Sequence, residues 1–188
     1  MSERDDRSDS IAGRLLDGAR VEERIHWGMA SSVYRARREA DGSPVALKVL
    51  HPAEWRLLKA QGRGNPLEHE AAIAGLVGGP GVVRWIGEGV LEDGCPYGWM
   101  EWVEGETLTR WLRARMPLTT DHVRWLFMQT SLCVSQLHQE GVVHRDLKPE
   151  NFLVRGEPGR RASEGVPPLT LVDLGCAVGT RPRGIATE

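Results

Sequence analysis

Residues 144–151 read His-Arg-Asp-Leu-Lys-Pro-Glu-Asn, and Asp173-Leu174-Gly175 follows after two strand-like stretches. The first segment gathers a carboxylate (Asp146), an ammonium (Lys148) and a carboxamide (Asn151) on one loop. The second delivers another carboxylate, Asp173, from the end of a strand. This set suits transfer of a phosphoryl group from a Mg²⁺-bound nucleotide to a hydroxyl. Asp146 is the candidate base, because an attacking hydroxyl needs an acceptor beside it. Lys148 is placed to neutralise charge on the moving phosphoryl. Asn151 and Asp173 offer hard oxygen donors to Mg²⁺, with nucleotide phosphates and water completing the shell. Singly, each residue has an ordinary explanation: an Asp that caps a turn, a solvated Lys, an Asp before Gly. Their spacing favours the joint reading.

Two further stretches belong to the same chemistry. Lys48 ends the strand Val45-Ala46-Leu47-Lys48. A lysine at a strand edge ordinarily guards against aggregation, but here Glu70, on the helix that follows, is the expected partner. Such a pair would hold Lys48 against nucleotide phosphates. Glu70 is preferred to Glu68, which is expected to serve the helix cap. Residues His26-Trp27-Gly28-Met29-Ala30-Ser31-Ser32-Val33 occupy the place of a phosphate-covering turn of pattern G-x-G-x-x-G-x-V and keep only its middle glycine. Loss of glycine stiffens the turn, while backbone N–H groups at His26, Gly28 and Ser31 still face phosphate. Alone, the stretch reads as a hairpin.

These residues need elements to hold them. Strands are expected over Val21–Ile25, Val33–Ala36 and Val45–Val49, with Asp41-Gly42 turning between the last two. A helix starts after Asn65, with Pro66 at its first position and Glu68 at capping-box spacing, and stops at Gly78-Gly79-Pro80. Strands over 82–86 and 97–103 flank a turn at Glu92-Asp93-Gly94. Beyond residue 104 the pattern becomes helical. Thr119 or Thr120 caps a helix with an apolar face of Val123, Leu126, Phe127, Thr130, Val134 and Leu137, ended by Gly141. Short strands follow at Phe152–Val154 and Leu169–Val172, separated by a loop rich in Gly, Pro and charge. The expected organisation is a polar, disordered tail over 1–19, a strand-rich part over 20–104 and a helical part over 105–188.

Composition excludes several classes. The 188 residues carry a net charge of −2, so no basic field points to nucleic acid. Three dispersed cysteines, Cys95, Cys133 and Cys176, show no paired spacing and suit reduced thiols in a cytoplasm. No apolar run reaches the length of a membrane span. The seven tryptophans show no stacking pattern and read as core or lobe surface. His138 reads as a helix-terminal residue. Cys176 reads as a reactive thiol beside the metal site or, equally, as a buried small hydrophobe.

From Val21 to Gly175 the order and spacing of these motifs resemble the bacterial eukaryotic-like (Hanks-type) serine/threonine protein kinases. The resemblance rests on His144–Asn151, Val45–Lys48, Asp173–Gly175 and the hinge-like Trp99-Met100-Glu101-Trp102-Val103-Glu104-Gly105. It implies an α+β bilobal fold, with an antiparallel sheet in the N-lobe and a helical, incomplete C-lobe. It implies ATP and Mg²⁺ as cofactors and Ser or Thr of proteins as substrate. It also implies Met100 as gatekeeper, backbone groups of Glu101 and Val103 toward adenine, and Val33, Ala46 and Leu153 around the ring. Counting on from Glu70, Gly79-Pro80-Gly81-Val82-Val83 reproduces the family's His-Pro-Asn-Ile-Val spacing, with Gly for His and Asn. Leu174 stands for the usual Phe, and the Ala-Pro-Glu motif is absent, so the chain is expected to end within the activation segment.

Two rival readings follow from the same residues. A small-molecule kinase of the aminoglycoside phosphotransferase type is opposed by Lys148-Pro149-Glu150-Asn151. A non-catalytic nucleotide-binding module is favoured by the eroded glycine turn and opposed by the intact catalytic loop. Arg160-Arg161-Ala162-Ser163 resembles a basic-directed phosphosite, although a solvated basic loop explains it more simply.

Overall fold

The structure is a computed structural model that describes residues 11–156 and 168–180. It divides into two compact units: the described residues of Met1–Ala71 with Trp85–Trp102, and those of Ala72–Arg84 with Val103–Glu188. A single cut at residue 104 does not express this division, because 72–84 belong with the second unit.

In the first unit, β1 (Leu15–Leu16), β2 (Ala19–Trp27), β3 (Ser31–Arg38), β4 (Pro44–Leu50), β5 (Trp85–Val90) and β6 (Pro96–Glu101) form one antiparallel sheet, ordered β1-β2-β3-β4-β6-β5. Alternation along each strand sorts the side chains between two faces. One face buries Tyr34, Ala36, Val45, Leu47, Val49, Tyr97 and Trp99 in a common core. The opposite face carries Val33, Ala46, Lys48 and Met100, because Val33 stands across from Lys48 and Ala46 across from Met100. Asp41-Gly42 makes the β3–β4 turn: Gly42 takes φ +69°, and Asp41 Oδ1 accepts the Ser43 N–H at 2.9 Å.

The expected tail of 1–19 is corrected over its second half. Ile11 is buried in the sheet core, and β1 pairs with β2. Asp17 turns the chain at φ +49°, and its Oδ2 accepts from Tyr97 Oη at 2.6 Å and Trp99 Nε1 at 2.9 Å. Burial, then the bond to Asp17, pushes the Tyr97 phenol up to about 12. An apolar count underrates this segment, since a carboxylate anchors it.

Among the described residues, two helices lie between β4 and β5 in the chain, and the second crosses the division between the units. α1 (Pro52–Ala60) was not anticipated; it buries only Leu58, too little to leave a periodic signal. α2 (Pro66–Leu76) starts where expected. Asn65 Oδ1 accepts the Leu67 N–H at 3.0 Å. Glu68 Oε1 accepts from the Asn65 side-chain amide, at 3.3 Å, rather than from its backbone. The strand expected over 82–86 is displaced. β5 begins at Trp85, while Val82 and Val83 pair with Leu171 of the second unit.

The second unit contains β7 (Glu106–Thr107), α3 (Leu108–Arg115), α4 (Thr120–Gln139), β8 (Val142–Val143), β9 (Phe152–Val154), β10 (Leu169–Leu171) and β11 (Val178–Gly179). β10, β9 and β7 form one small sheet, and β11 and β8 another. Thr119 is the cap of α4: its Oγ1 accepts the His122 N–H at 3.2 Å, and His122 Nδ1 accepts the Thr119 N–H at 3.3 Å.

The core of this unit joins Leu108, Trp111, Cys133, Leu137, Phe152, Leu171 and Leu174. The buried side of α4 differs from the one expected. Leu126 and Leu137 face the core, but Val123 is 53% and Phe127 72% exposed. Apolar residues occur nearly all round this helix, so period alone could not choose the face. The Gly at position 81, where the kinase pattern has Asn, has a packing reason. Gly81 N–H donates to Gln136 Oε1 at 3.1 Å, and a Cβ there would stand 2.6 Å from that oxygen.

Candidate active site

In the first unit, β4 supplies Lys48 and α2 supplies Glu70. Lys48 Nζ donates to Glu70 Oε1 at 2.9 Å and Oε2 at 2.7 Å. Their side chains are 12% and 3% exposed, so the contact is largely withdrawn from water. Such a pair is weak evidence for stability, because desolvation offsets most of the attraction. It does fix where the ammonium stands. Val33, Ala46 and Met100 share the sheet face of Lys48. Glu101 ends β6, and the turn from His26 to Ser31 closes with Gly28 N–H donating to Ser31 O at 2.9 Å. Val103 and Leu153 belong to the second unit, where Val103 is buried and Leu153 sits mid-β9.

The second unit brings Asp146, Lys148, Asn151 and Asp173 into one neighbourhood. The loop from His144 leads into a single 3₁₀ turn over Pro149–Asn151, which Asn151 N–H closes on Lys148 O at 3.0 Å. Lys148 Nζ donates to Asp146 Oδ2 at 2.6 Å. The buried Asn151 side chain donates from Nδ2 to Asp146 O at 2.9 Å. Val172 N–H donates to Asn151 O at 2.9 Å, which lays the Asp173 strand beside the loop. Asp173 Oδ1 accepts the Gly175 N–H at 3.1 Å.

His144 and Arg145 bear on the site in ways the sequence reading did not assign. His144 is buried; its Nε2–H donates to Asp173 O at 2.6 Å, and its Nδ1 accepts the Asp146 N–H at 3.2 Å. The two contacts require one neutral tautomer and couple both carboxylate-bearing residues through one ring. Arg145 adopts φ +66°, unusual for a side chain of its size, and its Nε–H donates to Cys176 O at 2.8 Å. The signal in the sequence was only that both precede Asp146. Cys176 itself is exposed, not a buried hydrophobe.

The electrostatics favour an ionised Asp146. The hydrogen bond from Lys148 holds its carboxyl below the ordinary range, against burial and the nearby Asp173 charge. The same bond raises Lys148. Both groups are solvent-exposed, so the effect concerns charge state rather than stability.

The donor set fits Mg²⁺. Asn151 spends Nδ2 on Asp146, which leaves Oδ1 as the atom a cation would meet, and Asp173 adds a carboxylate. Among the described residues no group of three or more His, Cys, Asp and Glu could hold an ion alone. Two hard oxygens completed by phosphate and water are what Mg²⁺ accepts, and what a closed protein cage would not leave.

Comparison with known proteins assigns the chain a family. The protein kinase domain family matches residues 19–186. The chain is 35% identical to serine/threonine-protein kinase pkn3 of Myxococcus xanthus over 84% of its length and 27% of the relative's. It is 34% identical to CBL-interacting protein kinase 16 of Oryza sativa subsp. japonica over 93% of its length and 36% of the relative's. It is 32% identical to serine/threonine-protein kinase PknJ of Mycobacterium tuberculosis over 88% and 26%. The chain thus spans roughly a quarter to a third of the relatives it matches. Its matched span covers most of its length, and the chain belongs to the protein kinase domain family.

Proposed function

We propose that this chain carries the phosphotransfer site of a serine/threonine protein kinase that moves the γ-phosphoryl of ATP to Ser or Thr hydroxyls of proteins. The observation that carries the reading is the Asp146–Lys148–Asn151 cluster, joined through His144 to Asp173. The Lys48–Glu70 contact supports it independently.

In this reading Asp146 orients the substrate hydroxyl and receives its proton as the new P–O bond forms and the bond to the ADP oxygen breaks. Lys148 steadies Asp146 and faces the charge that spreads over the transferring group. Asn151 Oδ1 and the Asp173 carboxylate would hold Mg²⁺, which when bound neutralises phosphate charge. Lys48, fixed by Glu70, holds the phosphates nearer the ribose. Backbone groups of His26, Gly28 and Ser31 cover the phosphates. The resemblance to the kinase family assigns adenine to Val33, Ala46, Met100 and Leu153, with backbone groups of Glu101 and Val103 for its edge. Cys95, Cys133 and Cys176 are free thiols, and we place the protein in the cytoplasm on that ground. No helix among the described residues is long and apolar enough to cross a membrane.

The test is transfer of label from γ-labelled ATP with Mg²⁺ to a mixed protein substrate, followed by phosphoamino-acid analysis. Label on Ser or Thr, lost by about 10²-fold or more in Asp146→Asn and Asp173→Asn, is the expected result. Mg²⁺-dependent nucleotide binding with no transfer would instead establish the non-catalytic module. Transfer to an aminoglycoside but not to protein would establish the small-molecule kinase.

A further inference from the structure

The turn over His26–Val33 raises a problem of its own. A phosphate-covering turn must present backbone N–H groups in a set geometry, and glycines ordinarily make that shape accessible. Here only Gly28 remains. At Gly28 an added Cβ would stand 3.0 Å from Ser31 O, so the glycine sits at a close approach of the turn's two sides. No residue of this turn takes a positive φ, so its shape is open to side-chain-bearing residues, and the contacts that fix it come from a side chain outside the turn.

His51 follows β4 and precedes α1. Its backbone N–H donates to Ala30 O at 2.8 Å. Its Nδ1 lies 3.3 Å from Met29 O, and its Nε2 lies 2.9 Å from Oγ of Ser32, which is 1% exposed. The ring stacks on Trp27, with centroids 4.2 Å apart and planes at 28°. Arg24 covers Trp27, with its guanidinium carbon 4.8 Å from that ring's centroid. One residue thus touches Trp27, Met29, Ala30 and Ser32, on both sides of the turn. Met29 at the tip is 99% exposed, so its carbonyl contact is not a by-product of side-chain packing.

We propose that His51 is a positioning residue for nucleotide binding: it clamps the Trp27–Ser32 turn in its phosphate-facing shape. The inference rests on the kinase reading above and adds a residue outside the nucleotide-covering motif. His51 with Nδ1 protonated donates to Met29 O and accepts the Ser32 hydroxyl proton at Nε2. Releasing these bonds lets the turn sample other shapes, and apparent affinity falls by the fraction that stays competent.

The experiment is steady-state kinetics on the full chain with ATP·Mg²⁺ and a Ser/Thr peptide, with calorimetric titration of ATP·Mg²⁺. His51→Ala is expected to raise KM for ATP about 5- to 20-fold, leaving kcat and the peptide KM within about twofold. His51→Phe keeps the stack and loses both ring bonds, and should fall between wild type and His51→Ala. Ser32→Ala removes one bond and should raise KM for ATP about two- to fivefold. Hydrogen exchange without nucleotide should quicken at residues 28–31 in His51→Ala. Folded variants with unchanged ATP affinity overturn the proposal, as does an equal loss in both KM values. Failure of both His51→Ala and Ser32→Ala to fold would assign the network to fold stability and overturn it too. Wild-type protein that binds no nucleotide overturns the kinase reading, and this inference with it.

Discussion

At the scale of single residues, the site depends on pairs that set each other's position. Lys48 and Glu70 lie 22 residues apart and meet at 2.7 Å with almost no solvent around them. Truncating either leaves the other a charge in a poor dielectric. Lys48→Met and Glu70→Gln are each expected to lower kcat/KM for ATP by about 10²-fold. The double variant should be no slower than Lys48→Met, because a group already removed has nothing left to orient. A double-mutant cycle measures this; additive losses would show that the two act separately. His144 plays a comparable part for the acidic residues, since one ring bonds the backbones of both Asp146 and Asp173.

At the scale of elements, close approach decides which glycines the sheet requires. Gly98 lies on β6 opposite both Lys48 of β4 and Glu88 of β5. A Cβ there would stand 2.1 Å from Trp85 Cζ2, so the indole lies across the space a side chain would fill. Gly98→Ala therefore has to displace a large ring on a central strand. It should cost about 1–3 kcal/mol. Trp85→Leu in the same background should recover part of that loss, read as the midpoint of urea denaturation. Equal stability of Gly98→Ala and wild type would show that the indole swings away freely. Gly81 follows the same logic in the other unit, where Gln136 of α4 fills the space.

At the scale of the whole molecule, each unit has its own core, and the surface beyond those cores is uneven. Leu137 and Cys133 fix one side of α4. Val123, Phe127, Met128 and Leu132 stand 53%, 72%, 60% and 57% exposed. Apolar side chains of this size held in water on one helix favour self-association. The chain at tens of micromolar is expected to sediment as a mixture of monomer and larger species. Phe127→Lys with Leu132→Lys should shift it toward monomer without lowering its melting temperature by more than a few degrees. A wild-type monomer at all concentrations would remove the premise.

What was legible in the sequence is what local chemistry dictates. Asp146, Lys148, Asn151 and Asp173 stood out because their spacing is short or is bridged by one hairpin, so few backbone paths can serve it. The strands β2 to β4 were legible from alternation and from the Asp41-Gly42 turn. The start of α2 was legible from Asn65-Pro66, because caps and turns depend on a few neighbouring atoms. Residues 160–163, which resemble a basic-directed phosphosite but read more simply as a solvated loop, lie outside the described residues. Other features required the tertiary structure. Ile11 and Asp17 look like tail until Tyr97 and Trp99 are seen to donate to the Asp17 carboxylate, a contact 80 residues away in the chain for Tyr97. α1 was invisible because it buries one residue, and the face of α4 was undetermined because its apolar residues encircle it. His144 and His51 show the same limit. A histidine's two ring nitrogens acquire meaning only from the groups that face them, and those groups are brought there by folding.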